Sequence, residues 1–183
     1  DLVDLKRTEQ EIASKEAERK EEAAISDAEE KAERAQRREI ERIPMETGVF
    51  IVDGEKVTVL KQAESKVVNN KRRSILKAMS PIPIISGKST VELDGLKAPL
   101  TLTAERPEFY IRLAAEERFQ IIRLAPTKAT RIVQKWDIVP VTKEIIETTD
   151  VIESFRQQLA DGLYKIWPTK PITPGEYAVV EYT

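Results

Sequence analysis

Carboxylates are the side chains of this sequence best suited to catalysis. A glycosidase, for example, holds two carboxyl groups about 5–10 Å apart in a cleft. Outside the first 43 residues the carboxylates are densest at three places: Glu116-Glu117, Glu144 with Glu147, and Asp150 with Glu153. Neighbouring residues of a strand point to opposite faces, so Glu116-Glu117 is a poor catalytic pair if extended. A charged loop between strands is the interpretation we favour.

The chain contains no His and no Cys. This excludes a Ser-His-Asp triad, a Cys-His dyad, a histidine-bound zinc site and any disulfide within the chain. The sequence also lacks an acidic calcium loop and the glycine-rich patterns that cradle phosphates. We therefore predict no catalytic, cofactor-binding or metal-binding residues, and a protein that is not an enzyme.

The charge balance argues against nucleic acid as a partner. Net charge is −2 and the pI is about 5.6, whereas a nucleic-acid reader presents a broad basic face with aromatic rings for stacking. Lys71-Arg72-Arg73 is the one basic triplet after residue 43, and we interpret it as a solvated turn or as a salt-bridge partner for an acidic surface, including one on a neighbouring copy. No apolar run approaches the roughly 20 residues that span a bilayer. No signal peptide is recognisable and residue 1 is Asp, so we expect a processed protein or a fragment.

Aromatic side chains could form a platform on which sugars stack. Six candidates are Tyr110, Trp136, Tyr164, Trp167, Tyr177 and Tyr182. Most fall in predicted strands, where packing in the core or at an edge explains them better. Tyr110 and Tyr182 are the two that would matter if they proved exposed.

The elements that must position these residues begin with a helix. The first 43 residues lack Gly and Pro, and 24 of them are charged, a composition that predicts a helix over about residues 2–42. Acid-first pairs at i,i+4, such as Glu30 and Arg34, support it. Leu5, Ile12 and a stripe of Ala make only a thin apolar seam. Close packing through Ala, a solitary charged helix and a docking arm all remain open.

Pro44 cannot continue this helix, and the pattern then changes to alternating strands. Asp53-Gly54 between 48–52 and 56–60 predicts a two-residue hairpin. Three further pairs are predicted: 89–93 with 98–103 around Asp94-Gly95, 119–124 with 130–136 around Pro126, and 162–167 with 176–182 across the Pro-rich 168–175. Single strands are predicted over 107–113 and 139–148. Short strands at regular spacing are typical of an antiparallel sandwich.

Three segments are ambiguous. Residues 69–73 form a polar turn or loop, and Ser80–Ser86 forms an extended strand or loop. Residues 150–160 carry the capping-box pair Asp150 and Glu153, which permits a helix, but the segment can equally continue the preceding strand. We favour the strand.

The succession GVFIVDGEKVTVL, KRRSILKAM, RPEFYIRL, FQIIRLAPTKATRIV and DGLYKIWPTKPITPGEYAVVEY resembles uncharacterised secreted β-sandwich proteins of Acidobacteria and similar bacteria, over about residues 48–183. Those proteins open with a Gly-Val-Tyr hairpin and close with a strand pair ending in Pro-Gly-Glu-Tyr-Ala. Ile172 stands where the closing motif usually has Leu. The resemblance implies a periplasmic or extracellular setting and a strand at 150–160, and it carries no established activity.

Together these observations predict a mainly β protein: a long charged helix or coiled-coil segment at 1–43, followed by an antiparallel β-sandwich at 44–183. The expected function is a non-enzymatic structural or interaction protein, which self-assembles or docks into a cell-envelope or extracellular assembly through its helix and sheet edges. The expected partners are copies of itself or other protein subunits. The alternative is a module that binds a glycan or cell-wall polymer. A carboxylate enzyme is a third hypothesis, which needs an exposed cleft holding two carboxylates.

Overall fold

The computed structural model describes residues 2–69, 72–74, 88–113, 118–139, 142 and 144–182, with side chains for all of these except 2–11, 69, 72–74 and 138. The chain divides into two compact units, Asp1–Pro44 and Met45–Thr183. The protein is mainly β, and an antiparallel β-sandwich follows one long N-terminal helix, as the sequence predicts.

The first unit is the helix α1, Leu2–Glu41. It ends where predicted, because Pro44 disfavours helical geometry at the preceding residue, and the Ile43 amide donates to the Ile40 carbonyl at 3.1 Å in its last turn. Arg34 donates to Glu30 at 2.9 Å, one of the predicted i,i+4 pairs. Every side chain from 12 to 35 is exposed, including Ile12 and Ile25. The part of the thin apolar seam between residues 12 and 35 is therefore exposed to solvent.

The second unit contains strands only, among the residues described. They are β1 Gly48–Asp53, β2 Lys56–Leu60, β3 Ser65–Asn69, β4 Arg72–Ser74, β5 Lys88–Asp94, β6 Phe109–Arg112, β7 Arg118–Arg123, β8 Ala125–Pro126, β9 Thr130–Ile138, β10 Ile145–Thr148, β11 Asp150–Ile152, β12 Ser154–Ala160, β13 Leu163–Pro168 and β14 Tyr177–Tyr182.

These strands form three antiparallel sheets. The first sheet has the order β12-β13-β6-β1-β2. The second has the order β10-β9-β5-β3-β4, with β8 also paired to β9, and the third has the order β11-β7-β14. Every pairing is antiparallel, as the predicted sandwich requires.

The central strand of the third sheet, β7, packs against both of the other sheets. On one face Ile121 packs with Ile51, Phe109 and other residues of the first sheet. On the other face Ile122 packs with Leu93 of the second sheet. Side chains alternate between faces along a strand, so consecutive residues of β7 serve two separate apolar clusters.

The first predicted hairpin is confirmed, but its two turn residues are Gly54 and Glu55 rather than Asp53 and Gly54, because Asp53 is the register partner of Lys56. β1 and β2 pair through five residues on each strand, and Gly54 adopts a φ of 58° in the turn. Glycine suits this position because it alone has no Cβ to clash in the left-handed region. The single strand predicted over 107–113 is also confirmed as β6.

The hairpin predicted around Asp94-Gly95 is wrong, although Gly95 does have a φ of 78°. Residues 98–103 form no strand, and β5 pairs with β3 and β9. The Gly95 amide donates to the Ala129 carbonyl at 3.0 Å, and Arg131 donates to the Asp94 and Gly95 carbonyls at 3.1 and 3.0 Å. The main-chain groups of Asp94 and Gly95 that would close a hairpin are thus hydrogen-bonded to residues at and just before the start of β9.

The other two predicted pairs need correction as well. In the 119–136 region only β8 pairs with β9, and β7 pairs instead with β11 and β14. In the last region β13 belongs to the first sheet and β14 to the third, so they are not partners. The Pro-rich connection crosses between sheets, and its Thr169 and Ile172 amides donate to the Glu153 and Glu105 carbonyls.

The ambiguous segment 150–160 is extended, as β11 and β12, which confirms the strand interpretation. In the predicted strand 139–148, residues 145–148 form β10, the described residues 139, 142 and 144 are not in a strand, and 140, 141 and 143 lie outside the described residues. Asn69 and Arg72, expected in a turn or loop, are register partners in β3 and β4. Residues 70–71 and the segment Ser80–Ser86 lie outside the described residues.

Candidate interaction surface

One stretch of chain, residues 145–160, supplies an edge strand to each of the three sheets. β10 is the end strand of the second sheet, β11 of the third and β12 of the first. We call residues 145–160 the shared edge. Within the described residues each of these strands has a neighbour on one side only: β9, β7 and β13 respectively. The edge strand of a sheet carries main-chain donors and acceptors that can pair with another chain.

The sequence favours this extended path. It reads IIETTDVIESFRQQLA, with six β-branched residues in its first eight and neither Gly nor Pro, and β-branched residues suit strands. The crossing from β11 to β12 is held at Glu153, whose carbonyl accepts the Thr169 amide at 2.9 Å. Next to it the Ser154 hydroxyl donates to the Ile152 carbonyl at 2.8 Å. The junction between two sheets is therefore a fixed point.

The shared edge exposes large apolar side chains. Ile145, Ile146, Val151 and Phe155 are each about half exposed, at 48%, 52%, 50% and 49%. All four residues of β10 are exposed, and so are four consecutive residues of β12. Single exposed apolar residues are ordinary, whereas several along one edge mark a surface suited to association.

Aromatic and basic side chains surround the β12 end of the shared edge. Phe155 lies opposite Trp167 in the register, with ring centroids 5.6 Å apart. The Arg156 guanidinium lies 4.3 Å from the centre of the Tyr164 ring. Such contacts restrict the side chains of an otherwise open strand, so this end of the edge is preorganised.

The carboxylates predicted as catalytic candidates do not converge on a cleft. Glu144, Glu147, Asp150 and Glu153 are all exposed, the last three along the shared edge. Glu144 accepts from the Thr142 hydroxyl at 3.3 Å. The pair Glu116-Glu117 lies outside the described residues. These positions give the shared edge an acidic character between β10 and β12.

The six aromatic candidates are distributed over all three sheets. Tyr110 is buried, at 3% exposure, which removes one of the two residues expected to matter for sugar stacking. Its neighbour Lys165 lies 5.5 Å from its ring centre and pairs with Glu108 at 3.0 Å. Tyr182, at 41% exposure, ends β14 in the third sheet. Tyr110 and Tyr182 therefore do not share one platform.

One buried ion pair ties the second and third sheets together. Arg131 of β9 donates to Glu176, just before β14, at 3.1 Å, and Glu176 also accepts the Ala98 amide at 2.7 Å. Since the Arg131 side chain is only 7% exposed, the carboxylate and two main-chain carbonyls supply the partners that a buried guanidinium requires. All these partners belong to the framework of the fold, so we interpret the pair as structural.

A search of the described residues finds no group of three or more acidic side chains placed to hold a metal ion. The helices in that part of the chain also include none long and apolar enough to cross a membrane. Of the basic triplet, Arg72 and Arg73 lie in β4, and Lys71 is outside the described residues.

The sequence predicts strands at 139–148 and 150–160, but it does not predict that residues 145–160 lie at the edges of three sheets. The usable signal is the run from 145 to 152, which is rich in β-branched residues, carries two acidic residues and contains neither Gly nor Pro. In comparison with known proteins, no protein-family model, no curated protein and no solved structure matches the chain.

Proposed function

We propose that this chain is a non-enzymatic structural or interaction protein that joins further protein chains, copies of itself or other subunits, by strand addition at the shared edge. One observation carries the proposal: residues 145–160 form the end strand of all three sheets. A partner strand added there gains main-chain hydrogen bonds along the edge, and alternate side chains supply specificity.

The exposed residues fit that role. Four apolar side chains offer area to bury, and because each is already about half buried, full burial adds about 1 kcal/mol for each. Glu147, Asp150 and Glu153 keep the free edge soluble and favour a partner with basic side chains. The charged helix extends the role, because an added binding element raises avidity through effective concentration. A cell-envelope or extracellular assembly is the setting we propose.

The test measures mass in solution by size exclusion with light scattering. Charged side chains on an edge oppose strand addition, so Ile146→Lys and Phe155→Lys should each lower the assembly mass. Leu96→Lys is the matched control, since Leu96 is 49% exposed in a loop away from the shared edge. An unchanged mass in both edge variants, or an equal change in the control, would contradict the proposal.

Phe155 also supports the second candidate function, binding of a glycan or cell-wall polymer. Its ring is half exposed beside Trp167, an arrangement on which a sugar face can stack. Pull-down on insoluble polysaccharides with the unchanged chain and Phe155→Ala tests it. If the unchanged chain is retained on a polysaccharide and Phe155→Ala is not, glycan binding is supported. If the unchanged chain is retained on none of the polymers, the glycan-binding hypothesis is rejected.

A further inference from the structure

The strand β2 is the edge of the first sheet opposite β12. Within the described residues it pairs with β1 alone. Val59, next to its central residue Thr58, is 55% exposed, and Lys56, Glu55 and Lys61 are exposed at and beside its ends. This is a second open edge, separate in sequence and in sheet position from the shared edge.

The hairpin geometry fixes which main-chain groups of β2 face outwards. Asp53 and Lys56 flank a two-residue turn and are register partners, so they exchange the hydrogen bonds that close the hairpin. Bonding direction alternates along an antiparallel strand. Thr58 therefore bonds to β1, while Val57 and Val59 direct their amides and carbonyls to the open side.

We propose that a second copy of this chain pairs antiparallel with β2 about a two-fold axis at Thr58. In the strand, residues whose numbers sum to 116 then face each other. Val57 of each copy meets Val59 of the other, so the outward main-chain groups bond to one another. Thr58 faces Thr58, a favourable cross-strand pair. Glu55, in the hairpin turn of each copy, comes beside Lys61, just past the end of β2 in the other copy, giving two charge-complementary pairs at the rim.

Other registers are poorer. If one copy is shifted along the other by one residue, the outward amides and carbonyls of one strand face residues of the other whose main-chain groups are already bonded to β1. An axis at Val57 keeps the bonding but places Val59 opposite Glu55, and an axis at Val59 places Val57 opposite Lys61. The Thr58 register alone among the three joins apolar to apolar and acid to base. A self-complementary patch of this kind produces a closed dimer, here with the five-stranded sheet continued into its copy.

The inference deepens the interaction role proposed above, because it names the partner and the surface, and it rests on β2 and not on the shared edge. A chain with both contacts forms larger assemblies through two different edges. Removal of one contact leaves the other, so the two proposals can fail independently.

The experiment is a charge exchange in the full chain, followed by sedimentation equilibrium at low salt. Glu55→Lys and Lys61→Glu each turn two attractive pairs of the dimer into two repulsive ones, and each should weaken dimerisation about tenfold. The double variant Glu55→Lys/Lys61→Glu restores both pairs and should return to within about twofold of the original constant. Circular dichroism checks that each variant is folded.

The same series is run in the Phe155→Lys background, where association at the shared edge is blocked. Weakening by both single changes with recovery in the double supports the β2 dimer in either background. A chain that stays monomeric in this background at all concentrations, or a double variant that fails to recover, overturns it. Loss of mass from Phe155→Lys alone bears on the shared edge only.

Discussion

Ile121 and Ile122 are adjacent in β7, and each is fully buried in a different apolar cluster, one shared with the first sheet and one with the second. A strand that faces core on both sides cannot alternate between apolar and polar residues. The central strand of the third sheet, β7, therefore contributes to the core on both of its faces.

Truncation at either position should destabilise the protein strongly. Ile121→Ala and Ile122→Ala should each lower the free energy of unfolding by about 2–5 kcal/mol, because each leaves a cavity in a closed cluster. Chemical denaturation followed by circular dichroism measures it. Leu96→Ala, at a half-exposed loop residue, should stay within about 0.5 kcal/mol. If only one of the two isoleucine variants loses little free energy of unfolding, the face of β7 that carries that isoleucine is not closely packed.

The pair Arg131–Glu176 should respond as a buried unit. Glu176→Gln leaves a guanidinium at 7% exposure without its carboxylate, and we expect a loss of about 2–4 kcal/mol, reduced from the fully buried case because Glu176 is itself 22% exposed. The double variant Arg131→Met/Glu176→Gln should recover part of the lost free energy of unfolding, because no unpaired guanidinium is then left buried.

The matched control for that pair is Asp137→Asn, which removes the exposed pair of Lys88 and Asp137 at 3.5 Å. Exposed pairs contribute about 0–1 kcal/mol, so its unfolding curve should hardly move. Equal losses at both pairs in urea titrations would show that burial is not the cause.

Two turn glycines allow strain to be separated from crowding. Gly54 and Gly162 have φ angles of 58° and 66°, but a Cβ at Gly54 meets nothing within 4 Å, whereas one at Gly162 lies 3.0 Å from the Leu113 carbonyl oxygen. Both Ala variants should lose about 1 kcal/mol from the left-handed backbone, and Gly162→Ala should lose more. Thermal unfolding of the two variants measures the difference. Equal decreases in Tm would show that the contact with the Leu113 carbonyl oxygen has no measurable effect on stability.

Removal of residues 1–43 tests the role of the helix. The second unit has its own apolar clusters, so the chain 44–183 should keep its β-type circular dichroism. Its assembly mass should change relative to the full chain if the helix contributes to association. A truncated chain that is folded and has an unchanged assembly state would make the helix a spacer.

The sequence encodes local features of this fold well and long-range pairing poorly. The helix end near Pro44 and the turn at Gly54 follow from backbone chemistry within a few residues. Asp94-Gly95 carries the same turn signal, and Gly95 does adopt the expected left-handed geometry. The chain after it does not fold back, because Arg131 and Ala129 bind the main chain there. These are partners that no local pattern reveals.

The candidate surface shows the same division. Extended structure at 145–152 follows from its β-branched residues, but three sheets ending on one stretch is a property of topology. Likewise, the sequence alone does not tell that β13 and β14 enter different sheets across Pro168–Gly175. The edge becomes visible only when the pairings of β9, β7 and β13 are known.

The path of residues 145–160 has a mechanical consequence. A pull on this stretch would open the outermost ladder of the second, third and first sheets in succession, because one strand path closes all three. Glu153 lies between two of those ladders, and its carbonyl accepts a hydrogen bond from the Thr169 amide. The opening of the strands would therefore pause at Glu153. Amide exchange along the stretch should accordingly fall into two cooperative blocks that meet there.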